Sequence, residues 1–357
     1  MTRIGVIGAG RVGAVLAAGF AQAGHEIVAI AGESSASRTR AAALLPGVPI
    51  KKPTAVAKSA DVLFLTVPDD MLANLVTVLA DSGAIRPGQI VIHTSGRHGL
   101  AVLEPARKAG ATTIAFHPAL TFTGTELDLA RLPECVIGLT AEEGVREFAE
   151  GLVADLGARP MWVEESARTL YHAALAHGSN HLVTLVTEAM EILSAAGATD
   201  PAGTLRPLLT AALENALEKG DAALTGPMVR GDAGTISAHL TELEEHAPQT
   251  VSSYVALAKA TMSRVVTDGR LLPIRAAKIA RILSDHTQAQ PTESDLIEAA
   301  PGSGGATPAV ARLSRALPSL SGLDGPPARL RPSASSGHTS SEPRDGGRRR
   351  IQAEVRQ

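Results

Sequence analysis

The sequence predicts an α/β domain with a doubly wound parallel sheet, followed by an all-α domain and a disordered tail. Short apolar runs alternate with helical periodicity up to about residue 163, whereas residues 164–286 show almost only helical periodicity. From residue 287 the chain is rich in Pro, Ser, Gly and Arg and has too few apolar residues to build a core. The predicted domains are therefore residues 1–163, 164–286 and 287–357.

The stretch from Arg3 to Gly24 is the most informative part of the first domain. Arg3 to Ile7 reads as a buried strand, and the following glycines have the spacing G-x-G-x-x-G at the start of a helix. In this motif the first glycine allows a tight turn, the second lets a pyrophosphate approach the backbone, and the third lets helix and strand pack closely. A second strand, Glu26 to Ala31, follows at the distance expected of a Rossmann βαβ unit. The residues predicted to bind the dinucleotide here are Gly8, Ala9, Gly10, Arg11, Val12 and Gly13.

The end of the second strand bears on the choice between NAD and NADP. An NAD enzyme usually places a carboxylate there for the ribose hydroxyls, but this strand ends in Ala31. The residues Ser34, Ser35 and Arg38 offer hydroxyl and guanidinium groups for a 2′-phosphate, although Glu33 is an unfavourable neighbour for one. NADP is the predicted cofactor and NAD the alternative.

Three further strands should end at the same edge of the sheet. The run Ala60 to Pro68 ends in Val67 and Pro68, the run Gln89 to Thr94 contains His93, and Ile114 to Phe116 is followed by His117. Ligands of doubly wound sheets bind beyond the carboxyl ends of the strands. The residues predicted to border the cofactor there are Val67, Pro68, His93, Ser95 and Gly96.

Each histidine at this edge has two possible roles. His117 or His93 could transfer a proton during catalysis, or either could be a hydrogen-bonded structural group.

The first helix of the second domain carries a polar stripe. At about 100° per residue, His172, Ala176, Ser179 and Asn180 share one face of this alanine-rich helix. Such a stripe indicates either the lining of a cleft or a polar patch between helices. A separate apolar stripe that includes Leu182 and Leu185 predicts core or a dimer interface.

The loop from Leu224 to Leu240 is the second informative stretch of this domain. It contains Gly226-Pro227 and Arg230-Gly231-Asp232, a density of turn residues typical of a positioned functional loop. Arg230 is the candidate for binding a substrate carboxylate, because a guanidinium pairs with it in bidentate fashion. The alternative is an Arg230–Asp232 pair on a solvated turn.

Composition excludes several classes of function. The formal charge of −3 gives no electrostatic reason to expect nucleic acid or an anionic membrane, and no uninterrupted apolar run is long enough to span a bilayer. The single cysteine, Cys135, precludes an internal disulfide, fits a reducing compartment and is expected to be a buried apolar residue. A cytoplasmic location is therefore expected, and no metal site is predicted.

On its motifs, the chain resembles an uncharacterised family that joins a Rossmann-like domain to a helical domain of unknown function. This family is similar to ketopantoate reductase and pyrroline-5-carboxylate reductase, within the 6-phosphogluconate dehydrogenase-like superfamily. The residues that carry the resemblance are Gly8-Ala9-Gly10-Arg11-Val12-Gly13, Val67-Pro68-Asp69, His93-Thr94-Ser95-Gly96, His117-Pro118, Tyr171-His172-Ala173-Ala174, Ser179-Asn180, Leu224-Thr225-Gly226-Pro227, Arg230-Gly231-Asp232, Thr235 and His239-Leu240.

The resemblance implies an NADP-linked reductase of a small carbonyl or imine compound that is a homodimer through its helical domain. Two departures weaken any transfer of mechanism. Related dehydrogenases often have a lysine four residues before the helical-domain asparagine, and Ala176 stands there if Asn180 is that asparagine. The arginine that often follows the second strand is not matched at Gly32 or Glu33.

The predicted function is thus NADPH-dependent reduction of a small carbonyl or imine, with a 2-oxo acid such as ketopantoate as the specific case. His172 is the first candidate for the proton donor, with His117 or His93 next and Asn180 fixing the substrate oxygen. Two alternatives remain: a regulatory or scaffold protein that binds NADPH without turnover, and a deazaflavin-linked NADP reductase.

Overall fold

Seven strands form one sheet in the computed structural model, which describes residues 1–286. Their order is β2-β1-β3-β4-β5-β6-β7; β6 is antiparallel to β5, and the other neighbours are parallel. The strands are β1 (Arg3–Ile7), β2 (Glu26–Ala31), β3 (Val62–Leu65), β4 (Ile90–His93), β5 (Thr112–Pro118), β6 (Val136–Ala141) and β7 (Arg159–Trp162). Because β1 pairs with β2 on one side and β3 on the other, the chain changes direction across the sheet there. This switch point creates a crevice beyond the carboxyl ends of β1 and β3.

Helices cover both faces of the sheet, which confirms the doubly wound fold. One face packs against residues such as Phe20, Ala41 and Leu152, and the other against Val56 and Leu72. The helices of this part are α1 (Arg11–Gln22), α2 (Ser35–Leu44), α3 (Pro53–Ser59), α4 (Asp69–Asp81), α5 (Glu104–Lys108), α6 (Glu126–Arg131) and α7 (Arg146–Asp155). A strand covered on both faces must be apolar throughout, and every residue of β3 is buried.

Two strands differ in length from the predicted apolar runs. The run Ala60 to Pro68 predicts a longer strand than β3, whose pairing with β4 ends at Leu65 and His93. The N–H of Thr66 still donates to the carbonyl of Ile7 in β1 at 2.8 Å, and its hydroxyl donates to the carbonyl of Gly8 at 2.6 Å. In contrast, β5 is longer than predicted, because antiparallel β6 pairs with it from Ile114 to Pro118.

After β7 the described chain is helical, as predicted. The helices are α8 (Arg168–Ala195), α9 (Pro201–Lys219), α10 (Pro227–Arg230), α11 (Ala233–His246), α12 (Val251–Thr267) and α13 (Pro273–Asp285). A third apolar core lies among α10 to α13 and includes Met228, Ile236, Leu240 and Ile279. The sequence predicted no helix between residues 220 and 234, because a single turn such as α10 is too short to show periodicity.

Helix α9 contributes little to this core. None of its residues is buried, and it carries exposed Leu208, Leu213 and Leu217. The apolar stripe predicted on α8 is also open, with Leu182 40% and Leu185 41% exposed. No helix within residues 1–286 has the length and apolar character needed to cross a bilayer.

The predicted domain limits have different outcomes. Residues 1–163 and 164–286 belong to one compact unit, so the limit between them stays a prediction. The predicted disordered tail, residues 287–357, lies outside the described residues.

Candidate functional site

The glycine-rich turn between β1 and α1 has the backbone that the motif predicts. Gly8 has a φ of 112°, which a side chain would strain, and its N–H and that of Ala9 donate to the carbonyl of Ala31 at 2.9 and 2.8 Å. A Cβ at Gly13 would overlap the carbonyl oxygen of Gly8 and the hydroxyl of Thr66. No atom lies within 4 Å of the place where a Cβ of Gly10 would stand. The turn is therefore compact beneath Gly13 and open above Gly10, at the N-terminus of α1.

This open side faces a cavity of about 880 Å³ at the switch point of the sheet. Its walls come from the glycine-rich turn, the end of β2, the segment before α3, and the end of β3 with the start of α4. Its volume is in the range of cofactor sites, about 300–1,000 Å³. The residues that line it are Ile7, Gly8, Ala9, Gly10, Ala31, Gly32, Glu33, Ser34, Ser37, Arg38, Ile50, Lys51, Lys52, Pro53, Thr66, Val67, Pro68, Met71 and Leu75.

Seven of the predicted cofactor residues lie in this wall, and seven do not. Those in the wall are Gly8, Ala9, Gly10, Ser34, Arg38, Val67 and Pro68. Those outside it are Arg11, Val12, Gly13, Ser35, His93, Ser95 and Gly96. Gly13 acts through packing beneath the turn, and the side chain of Arg11 lies beside Gly124.

The end of β2 forms a hydroxyl- and guanidinium-bearing wall. Ser34 caps α2 by accepting the N–H of Ser37 at 3.1 Å, and the two hydroxyls lie 2.9 Å apart. Arg38 donates to the main-chain carbonyl of Glu33 at 2.6 Å, and among residues 1–286 its guanidinium forms no ion pair with a carboxylate. Gly32 packs against Ala9, with a hypothetical Cβ only 2.8 Å from that of Ala9. This close packing explains why the strand is not followed directly by a larger side chain.

Two lysines in the cavity wall, Lys51 and Lys52, were not among the predicted site residues. A short parallel bridge joins Ile50 to Ile30, and the N–H of Lys51 donates to the carbonyl of Ile30 at 2.9 Å. Lys51 and Lys52 are thereby held beside the end of β2, and both are exposed. The bridge is a single residue pair about 20 positions away in sequence, so no local pattern could have revealed it.

His93 is a buried structural residue, contrary to the prediction that it borders the cofactor or donates a proton. It is 0% exposed, and its Nε2 lies 2.8 Å from the carbonyl of Gly99 while its Nδ1 accepts the N–H of Ser95 at 3.1 Å. Burial lowers the pKa of His93 to about 4, so the ring is neutral near pH 7. With both nitrogens engaged inside the protein, His93 stabilises the loop after β4. Ser95 is likewise buried, and its hydroxyl accepts the N–H of His98 at 3.1 Å.

Two other candidate histidines meet at the end of β5. The rings of His117 and His172 are perpendicular, with centroids 5.9 Å apart. The Nδ1 of His117 lies 3.0 Å from the hydroxyl of Tyr171. Gly96 packs against both histidines, since a Cβ there would be 3.0 Å from Nε2 of His117 and would overlap the ring of His172. We call His117, Tyr171 and His172 the aromatic cluster.

The buried Arg168 joins the aromatic cluster to the sheet. Its side chain is 1% exposed and donates to the carbonyls of Ser95 at 2.6 Å, His98 at 3.0 Å and Gly138 at 3.2 Å. No carboxylate pairs with this cation in the described part of the chain, and burial lowers its pKa. Arg168 thus connects α8 to the loop after β4 and to β6. Its role could not be predicted from the sequence, because these three partners are 30 or more positions away.

The cavity and the aromatic cluster lie along the same edge of the sheet. Asp69 follows Pro68, a residue of the cavity wall, and accepts a hydrogen bond from Arg97 at 3.2 Å. Arg97 in turn follows Gly96, which contacts the cluster. The pKa of His117 is lowered to about 4, first by burial and then by the charge of Arg168, and the carboxylate of Asp69 opposes this shift.

Asn180 and Arg230 are not part of the aromatic cluster. Asn180 is exposed on α8, where its neighbour Ser179 lies 3.4 Å from the hydroxyl of Thr121. Arg230 is exposed at the end of α10, and its side chain forms no hydrogen bond or ion pair within the described residues. Asp232 caps α11 by accepting the N–H of Thr235 at 3.1 Å. Its pKa is lowered, first by the hydrogen bonds from Thr235 and to a smaller extent by the charge of Arg230, so the alternative of an Arg230–Asp232 pair stays a prediction. The roles of Asn180 and Arg230 in substrate binding stay predictions.

Cys135 is buried, as predicted. It is 3% exposed, and burial raises the pKa of its thiol to about 11. A thiol of this kind is a poor nucleophile near neutral pH.

A glycine-rich turn that opens onto a cavity at the switch point defines the first part of the chain as a Rossmann-like domain. Residues 1–118 match a Rossmann-like domain, and residues 135–261 match a domain of unknown function (DUF2520). The chain therefore joins a Rossmann-like domain to a DUF2520 domain, which confirms the predicted resemblance.

Solved structures share the fold of this chain at low sequence identity. A candidate NADP oxidoreductase from Bacteroides fragilis is 22% identical with a TM-score of 0.65, covering 73% of this chain and 98% of its own. An imine reductase from Myxococcus stipitatus, solved with NADP⁺, is 18% identical with a TM-score of 0.56. The match covers 81% of this chain and 100% of the reductase. An imine reductase from a Pseudomonas species is 15% identical with a TM-score of 0.55. The match covers 79% of this chain and 97% of that reductase. A comparison with curated protein sequences finds no match.

Proposed function

We propose that this protein is an NADPH-dependent oxidoreductase that reduces a small carbonyl or imine compound. The observation that carries this proposal is the cavity at the switch point, with the glycine-rich turn on one wall and the aromatic cluster along the same sheet edge. The NADP⁺ named with the imine reductase of similar fold supports the same cofactor.

The residues of the cavity fit a dinucleotide. Gly10 has no side chain and open space above it, so a pyrophosphate can approach the backbone and the free N–H groups at the start of α1. The cavity wall offers apolar contact through Val67, Pro68 and Leu75. The bound nicotinamide would supply a hydride, and the protein would orient the substrate and provide a proton.

Within the aromatic cluster, His172 is the proposed proton donor. His117 is unsuited to that role. Its pKa is lowered to about 4, so its ring is neutral near pH 7 and is not the imidazolium cation that a proton donor would have to be. His93 is excluded by its internal hydrogen bonds. His172 is half-buried, and its ring stands edge-on to that of His117.

Turnover distinguishes a reductase from a protein that only senses NADPH. The purified protein should bind NADPH and consume it, followed at 340 nm, with at least one member of a panel of 2-oxo acids, including ketopantoate, and cyclic imines. Tight binding without consumption across the panel would favour the regulatory alternative, which Ala176 in place of a lysine motivates. A deazaflavin acceptor in the same panel tests the third alternative.

We further propose that Lys51, Lys52, Arg38 and the hydroxyls of Ser34 and Ser37 select NADPH over NADH. The cavity wall near the end of β2 carries three cationic side chains and one carboxylate, Glu33. A charge-assisted hydrogen bond to a phosphate contributes about 1.5–3 kcal/mol, which is roughly 10- to 100-fold in affinity.

Substitution of both lysines should therefore alter cofactor preference. Lys51→Ala combined with Lys52→Ala is expected to raise the Kd for NADPH by roughly 10- to 100-fold while the Kd for NADH changes little. Arg38→Ala should act in the same direction. Fluorescence titration with each cofactor measures both constants.

Lys58→Ala is the matched control for the lysine substitutions. Lys58 lies in α3, is exposed and does not line the cavity, so its loss should leave the Kd for both cofactors unchanged. Equal losses of NADPH and NADH affinity in the double variant would contradict the assignment of the lysines to the 2′-phosphate.

We also propose that the protein is a homodimer through its helical part. Helix α9 buries none of its residues and exposes Leu208, Leu213 and Leu217, next to the open apolar stripe of α8. Water contact with so many leucines is unfavourable, and a second copy would cover them. Light scattering should give twice the chain mass of 36.6 kDa, and a monomer at micromolar concentration would contradict this proposal.

A further inference from the structure

The hydrogen bond between Tyr171 and His117 joins α8 to the end of β5. The hydroxyl of Tyr171 lies 3.0 Å from Nδ1 of His117, and the two rings are perpendicular with centroids 5.6 Å apart. Both side chains are half-buried. Arg168 lies over the other side of the Tyr171 ring, 5.7 Å from its centroid, and holds the phenol in place.

The direction of this hydrogen bond determines the tautomer of His117. Burial raises the pKa of Tyr171, so its phenol keeps its proton, and the imidazole of His117 is neutral. The phenol proton needs an acceptor, and within the described residues Nδ1 of His117 is its hydrogen-bond partner. When the phenol donates to Nδ1, this nitrogen is unprotonated and the ring proton of His117 is on Nε2.

Gly96 packs close beside this Nε2. A Cβ at Gly96 would be 3.0 Å from Nε2 of His117 and would overlap Cδ2 of His172, so a side chain there would cover both rings. On the opposite side, a Cβ at Gly138 would be 2.5 Å from the hydroxyl of Tyr171. Two glycines thus permit the packing of the cluster, one beside Nε2 and one beneath the phenol.

We propose that Tyr171 is a positioning residue that holds His117 with its proton on Nε2, so that His117 is a neutral hydrogen-bond donor to the substrate's carbonyl oxygen or imine nitrogen. This inference rests on the proposed reductase function. The two histidines then have separate tasks. His172 transfers its proton to the oxygen or nitrogen as the adjacent carbon gains a hydride, and His117 keeps its proton and polarises the double bond.

Nitrogen-15 NMR of the imidazole side chains tests the tautomer without any turnover. At pH 7 the His117 spectrum should show an unprotonated, hydrogen-bonded Nδ1 and a protonated Nε2. Tyr171→Phe removes only the hydroxyl, and the Nδ1 resonance should then shift toward the average of the two tautomers. A proton on Nδ1 in the unmodified protein would overturn the proposal.

The chain contains a matched control pair. Tyr254 on α12 places its hydroxyl 3.0 Å from Nδ1 of His239, with nearly perpendicular rings, away from the aromatic cluster. Tyr254→Phe should shift the His239 resonances and leave those of His117 unchanged. Loss of the His117 tautomer in Tyr254→Phe would show that the spectrum reports general unfolding and would overturn the specific role of Tyr171.

Kinetics test whether the tautomer matters to the reaction. Misplacing a positioned group can lower rates by roughly 10- to 100-fold, and Tyr171→Phe should lower kcat within this range while the Kd for NADPH is retained. Gly138→Ala, which displaces the phenol by a different route, should lower kcat similarly. An unchanged kcat in Tyr171→Phe together with an altered tautomer would overturn the role of His117.

The same measurements separate this inference from the function on which it rests. If His117 has its proton on Nε2 but none of the tested compounds supports NADPH consumption, the reductase proposal fails and the tautomer assignment stands. If it turns over substrate with a proton on Nδ1 of His117, the reductase proposal stands and the inference fails.

Discussion

His172→Ala is expected to lower kcat by roughly 100- to 10,000-fold, the contribution usual for a general acid. The Kd for NADPH should stay nearly constant, because His172 lies in the aromatic cluster and not in the cavity wall. His172→Gln should be almost as slow, since an amide can form a hydrogen bond but cannot donate a proton at neutral pH. Stopped-flow measurement of NADPH oxidation, together with cofactor titration, gives both constants.

His181→Ala is the matched control on the same helix. His181 is exposed on α8, and its Nδ1 lies 2.9 Å from that of His177, so its loss should leave kcat unchanged. If His172 only packs against Gly96, alanine should lower the melting temperature and glutamine should restore most of the activity. Full activity of His172→Ala would refute the proton-donor role.

The glycine-rich turn yields the second large effect, because two of its glycines have different tasks. A Cβ at Gly13 would overlap the main-chain oxygen of Gly8 and the hydroxyl of Thr66, so part of the β1–α1 turn must move. Overpacking typically costs about 1–3 kcal/mol and occasionally more. Because one obstructing atom belongs to the backbone, Gly13→Ala is expected to destabilise the protein by about 3 kcal/mol, measured by urea denaturation.

Gly10→Ala should behave in the opposite way. Gly10 has a φ of −70°, which alanine adopts freely, and no atom lies within 4 Å of the added Cβ. The free energy of unfolding should therefore change little. The methyl group would occupy the approach to the start of α1, and a misfit of about 1–3 kcal/mol raises the Kd for NADPH roughly 10- to 100-fold. Unchanged NADPH affinity would place the pyrophosphate elsewhere.

The architecture of this protein could be predicted from local sequence patterns. The G-x-G-x-x-G spacing between an apolar strand and a helix predicted the turn, and the positions of Gly8, Gly10 and Gly13 in the structure follow from it. The long stretches with helical periodicity predicted α8, α9 and α13, and they predicted one continuous helix where the structure has α11 and α12. These features depend on residues within a few turns of each other, so their pattern is present in the sequence itself.

The environment of each candidate side chain was beyond sequence analysis. Histidines at the ends of two neighbouring strands looked equivalent, yet His93 is buried with both nitrogens bonded, whereas His117 meets Tyr171 and His172. The loop after β4 folds back to bond both nitrogens of His93, and Arg168 of α8 donates to the carbonyls of Ser95 and His98 in this loop.

By itself, the sequence determined the fold class, the dinucleotide-type turn and the helical character of the second part, since these follow from periodicity and from backbone conformations that only glycine tolerates. The tertiary structure alone decided that Lys51 and Lys52 line the cavity and that Arg168 is buried and donates to main-chain carbonyls. It also decided that the candidate histidines divide into a structural one and a cluster. Burial, hydrogen-bond partners and shifted pKa values depend on contacts between segments distant in sequence, which no local pattern contains.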